Sequence, residues 1–91
     1  MSHKEKNRLE LADRLSDAIP GIGLSVDGPR KSDGAYVMDA TLGECWAVVE
    51  YSPRLGYTVH KMDAEGFVES TQGRSPDHDE AFGWVRGILQ K

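Results

Sequence analysis

The 91 residues, 38% hydrophobic and 29% charged, supply one small core with nothing left for a second, which excludes a two-domain or disordered chain. A net charge of -4 argues against general affinity for nucleic acid or anionic lipid. The single cysteine, Cys45, leaves packing rather than disulfides or a cysteine-based zinc site to hold the fold.

In chain order, Ser2 and Glu5 form a capping-box pattern, and Leu11, Ala12, Leu15, Ala18 and Ile19 then recur at helical spacing. This amphipathic helix must stop at Pro20-Gly21, because proline lacks a backbone donor and disfavours helical geometry in the residue before it. Ile22, Leu24 and Val26 alternate with Gly23, Ser25 and Asp27, the mark of a strand with one buried face, and Asp27-Gly28-Pro29 closes it.

Residues 35 to 41 and 44 to 51 form two strands joined at Leu42-Gly43. With Thr41 facing Glu44, one face collects Tyr36, Met38, Ala40, Cys45, Ala47, Val49 and Tyr51. The other holds Val37, Asp39, Thr41, Glu44, Trp46, Val48 and Glu50. A slip of one residue would mix Glu44 and Glu50 into the apolar set, so strand phase is well determined. After a turn at Ser52-Pro53-Arg54-Leu55-Gly56, a fourth strand opposes Tyr57 to Tyr51 and turns Thr58, His60 and Met62 outward. Phe67-Val68-Glu69 is a short extended piece at one edge.

The closing helix begins at Ser75-Pro76-Asp77, with Ser75 as cap and Pro76 in the first helical position; Asp77, Asp79 and Glu80 favour the positive end of its dipole. Ala81, Phe82, Val85, Ile88 and Leu89 form its inward stripe. Gly83 and Gly87 each weaken it by about 1 kcal/mol relative to alanine, and their spacing suggests a backbone packed on the sheet or on a partner. The expected fold is α+β: a two-layer sandwich of a four-stranded antiparallel meander with both helices on one face, in the order α-β-β-β-β-α.

Motifs with chemistry are absent. His3, His60, His78 and Cys45 have no metal-site spacing, so no metal or cofactor is expected. Cys45 points inward without an activating neighbour, and Asp39 and Glu50 share a solvated face that leaves carboxylates unperturbed, so no catalytic residue is assigned and the chain is expected not to be an enzyme. Gly21-Ile22-Gly23 lacks the strand-turn-helix context of a phosphate loop. With no apolar run near the roughly 20 residues of a membrane span and a polar start, a cytoplasmic protein is expected.

The uncovered sheet face is the candidate site. Trp46, Val48, His60, Met62 and Val37 should form a patch there, with Val37 opposite Val48, Val48 opposite His60 and Trp46 opposite Met62, and with Asp39 and Glu50 at the rim. The expected function is a non-enzymatic protein-interaction or regulatory module, with a protein partner or a second copy as homodimer, and no direct contact with nucleic acid or membrane. Alternatively the 63–76 segment folds back, with Phe67 or Val68 covering Trp46. Protonation of His60 near pH 6 would place a charge beside Val48 and weaken association. Two further readings are a small-ligand sensor near Tyr36, Tyr51 and Tyr57, and an acidic inhibitor of a basic nucleic-acid-binding protein, the latter from the balance of -5 over residues 32–91, five basic against ten acidic.

Gly34-Ala35-Tyr36-Val37-Met38-Asp39, Val48-Val49-Glu50-Tyr51-Ser52-Pro53 and Leu55-Gly56-Tyr57-Thr58-Val59, with an acidic stretch before a closing helix, resemble a small bacterial α+β domain that in some chains precedes a repressor-type helix-turn-helix. The resemblance covers roughly residues 9–90. It implies a regulatory or ligand-sensing accessory role with no catalytic residues. The helix-turn-helix itself has no counterpart here, and Phe67-Val68-Glu69-Ser70-Thr71-Gln72 replaces a more glycine-rich stretch.

Overall fold

The computed structural model describes residues 10–90. Helix α1 (Glu10–Ala18) is followed by β1 (Gly23–Asp27), β2 (Tyr36–Leu42), β3 (Cys45–Ser52), β4 (Gly56–Met62), β5 (Val68–Ser75) and α2 (His78–Leu89). The strands form one antiparallel sheet in the order β1-β2-β3-β4-β5, and the α+β class read from the sequence holds. The sheet has five strands rather than four. The short edge piece expected at 67–69 is the start of an eight-residue strand, whose period-2 signal is broken by two register shifts against β4 and by its mostly exposed, polar residues. The capping box at Ser2 and Glu5 lies outside the described residues.

The core lies between the sheet and the helices. Leu11, Leu15 and Ile19 of the first helical segment and Ala81, Val85, Ile88 and Leu89 of α2 meet Met38, Ala40, Ala47, Val49 and Val59, all buried. These strand residues alternate with outward positions in the phase expected from hydrophobicity. The register itself differs in one hairpin. Leu42 pairs with Cys45 and the turn is Gly43-Glu44, not Leu42-Gly43, because Gly43 takes the positive φ of +61° that the first turn position requires. The shift is two residues, so every side chain keeps its face, but Val37 opposes Glu50 and Val48 opposes Asp39. On the other side the expected pairs Tyr51–Tyr57 and Val48–His60 are present.

Helix α2 is capped by Asp77, whose carboxylate accepts from the Asp79 amide at 2.9 Å. Ser75 is instead the last residue of β5, buried, with its hydroxyl accepting from the Asp77 amide at 3.0 Å. The strand-to-helix corner is thus one hydrogen-bonded unit, and Gly56 sits against it: a Cβ there would lie 2.5 Å from the Ser75 carbonyl oxygen. Gly83 and Gly87, expected to pack closely, meet nothing within 4 Å of an added Cβ and lie on the exposed side of α2. The helices are joined through Arg14, which donates to His78 Nδ1 at 3.0 Å, pairs with Asp79 and lies 4.3 Å over the Phe82 ring. Glu10 closes this cluster from the other side of His78, at 3.4 Å from Nε2.

Candidate functional site: the outer face of the sheet

Both helices cover one face, and the other carries three rows of side chains running across the strands. The first row is Asp27, Val37, Glu50, Thr58 and Arg74, one residue from each strand. The second is Ser25, Asp39, Val48, His60 and Thr71. In the third, Trp46 opposes Thr41, while Met62 follows in the β4 alternation and opposes Val68. All seven residues expected to form the patch, Trp46, Val48, His60, Met62, Val37, Asp39 and Glu50, therefore fall on this face.

Their environments differ from a bare apolar patch. The Trp46 indole N–H donates to Asp39 Oδ1 at 3.0 Å, which ties the ring down across β2. At its far end the ring meets Gly66, where an added Cβ would stand 3.6 Å from the indole. Asp63 accepts from the amides of Glu65 at 3.0 Å and Phe67 at 2.9 Å, folding the β4–β5 turn tightly beside the ring. At this turn Phe67 and Val68 are 69% and 53% exposed. Val68, opposite Met62, extends the apolar end of the face.

His60 is only 15% exposed, because it lies between neighbours on both sides. Its Nδ1 is 2.9 Å from the Thr71 hydroxyl and its Nε2 is 3.5 Å from Glu50 Oε2. The ring is thus held between β5 and β3, with the Glu50 carboxylate on the side facing β3.

At the opposite end of the face a groove of about 410 Å³ opens over the first row. Its floor includes Val37, Glu50, Thr58 and Arg74, with Leu55 of the β3–β4 turn and Arg30 of the β1–β2 loop at its sides. The loop wall is held by backbone bonds from the Arg30 amide to Ala35 and from the Gly34 amide to Arg30, and by Asp33, which accepts from the Ala35 amide and pairs with Arg30. The Arg30 guanidinium and the Ala35 amide hold the Asp33 carboxyl below the usual carboxylate range, so Arg30 is already neutralised by its own loop. Arg74 is different. Its Nε donates to Thr58 Oγ1 at 3.1 Å, and no carboxylate among the described residues pairs with it.

Tyr36, Tyr51 and Tyr57 stack along the inner face, with centroids 5.0 and 4.7 Å apart. Burial pushes the Tyr36 hydroxyl well above the ordinary tyrosine value, helped by the adjacent Tyr57 phenol, and burial raises Tyr57 as well. Tyr36 Oη is buried without a hydrogen-bond partner of acceptable geometry among the described residues. The groove touches Tyr36 and Tyr51, but its charged lining belongs to the outer face, not to the sheet–helix interior considered for a ligand from the sequence. The features that sequence reasoning missed are Arg74 and Thr71 on this face. Both belong to β5, where the bulges hide the alternation.

Among the described residues no three His, Cys, Asp or Glu side chains converge to hold a metal, and no helix is long and apolar enough to cross a membrane. Comparison of the chain with known protein families, curated proteins and solved structures finds no match.

Proposed function

We propose that this protein is a small non-enzymatic interaction module that associates with a second copy of itself through the outer face of its sheet. One observation carries the reading: the face is acidic on its β1–β2 side and basic on β5, with apolar side chains set among polar ones on the middle strands. Asp27 and Asp39 lie on β1 and β2, Arg74 lies on β5, and Val37, Val48, Trp46 and Met62 occupy the middle strands. A two-fold axis parallel to β3 lays β1 of one copy over β5 of the other. Two sheets stacked about 10 Å apart then bring Asp27 of each copy toward Arg74 of the other, with Val37, Glu50 and Thr58 of the same row between them and Val48 and Trp46 in the rows beside it. Fixing the indole through Asp39 before contact lowers the ordering cost of docking it. A regulatory role, as the family resemblance implies, fits a module of this kind.

Light scattering on the native chain should give twice the chain mass at about 100 μM. Trp46→Ala should return it to one chain, and so should Arg74→Glu or Asp27→Arg alone. The double variant Asp27→Arg/Arg74→Glu should recover the dimer, because the charge pattern is inverted but still complementary. A native mass of one chain up to millimolar concentration overturns the reading.

A further inference from the structure

The groove over the first row holds opposite charges that do not meet. Glu50 and Arg74 stand on β3 and β5, two strand spacings apart, or roughly 10 Å of backbone separation. Thr58 lies between them on β4, and its hydroxyl accepts from Arg74 Nε, which aims the guanidinium while leaving its terminal nitrogens without a carboxylate. No ion pair joins Glu50 to Arg74 among the described residues; the Glu50 carboxylate is 59% exposed and leans on His60 through one oxygen only. The apolar lining of the groove, Val37 in its floor and Leu55 at its side, is 42% and 55% exposed. A volume of about 410 Å³ lies within the range of small-ligand sites.

We propose that this groove binds a small zwitterion, an amino acid or short peptide with free termini, whose carboxylate is taken by Arg74 and whose ammonium is taken by Glu50. The inference deepens the reading above, since the ligand would occupy the same open face and compete with a second copy for Arg74. A dianion fits poorly: Arg30 is already bound by Asp33, and Asp27 and Glu50 would repel the second charge. A simple cation fits poorly too, since it would leave Arg74 unanswered in the same groove. A ligand carrying both charges satisfies both side chains at once, and charge-assisted bonds of this kind are the stronger ones.

The probe is alanylalanine, titrated into isotope-labelled protein at a concentration where light scattering reports one chain. Saturable amide shifts are expected at Val37, Ser52 and Thr58 in the millimolar range or below. N-acetyl-alanylalanine amide, which lacks both charges, should bind at least tenfold more weakly. Arg74→Gln and Glu50→Gln should each weaken the free dipeptide tenfold or more, and Thr58→Val, which releases the guanidinium, should weaken it less. Absence of saturable shifts, or equal binding of the blocked dipeptide, overturns the inference. A one-chain protein that binds the dipeptide keeps this inference and ends the self-association reading. A dimer indifferent to the dipeptide does the reverse, and a dimer dissociated by it supports both.

Discussion

The two faces of one sheet are built from the same strands in strict alternation, yet they have opposite characters. Val49 and Val48 are neighbours in β3: the first is wholly buried beneath the helices, and the second lies between Asp39 and His60 on the open side. The inner face is closed by apolar contact, with the phenols of Tyr36 and Tyr57 buried at one end. The outer face is ordered by polar ties, Trp46 to Asp39, His60 to Thr71 and Glu50, and Arg74 to Thr58. Stability therefore resides on one side of the sheet, and the chemistry available to a partner or ligand resides on the other.

The largest test of this division is Gly56→Ala. The added Cβ would meet the backbone at Ser75 and Pro76 at 2.5 to 2.8 Å, and residue 56 has a φ of +79°. Neither neighbour is a flexible side chain, so denaturant melts should show a loss of more than about 3 kcal/mol. A loss under about 1 kcal/mol would mean that the corner between β5 and α2 is loose. Next comes the adjacent pair: Val49→Ala should cost about 2 kcal/mol, whereas Val48→Ala should cost less than about 1 kcal/mol in the isolated chain. Equal costs would erase the distinction between the faces.

Tyr36→Phe sharpens the comparison from inside the closed face. Removing a buried hydroxyl that finds no hydrogen-bond partner among the described residues should raise stability at neutral pH by about 1 kcal/mol, read from the denaturant midpoint. The same residue sets an alkaline limit. Because the folded state holds the Tyr36 and Tyr57 protons above the ordinary tyrosine value, the stability they contribute is fully present below about pH 10 and falls as pH rises beyond it. The slope should reach at most about 1.4 kcal/mol per pH unit for each phenol, and Tyr36→Phe should retain only the Tyr57 share. The smallest expected effects are at Gly83→Ala and Gly87→Ala. Both positions are exposed and open, so each substitution should raise stability by up to about 1 kcal/mol through helix propensity alone. A loss at either would place that side of α2 against something.

Strand phase, helix faces and the outward direction of Trp46, Val48, His60 and Met62 were determined by the sequence itself. The alternation of apolar and polar residues has a period of two, and a register error of two residues leaves it intact, as the displaced β2–β3 turn demonstrates. Pro20-Gly21 and the acidic start of α2 likewise mark their boundaries by local chemistry. Tertiary structure decided what alternation cannot encode. The fifth strand is paired through bulges that break its period, so Arg74 and Thr71 reach the outer face by pairing with β4. Which side chains meet across strands also depends on absolute register, which is why Val37 stands beside Glu50 and why one groove holds Glu50, Thr58 and Arg74 together. Short-range hydrophobicity assigns a residue to a face; only the packed sheet assigns its neighbours.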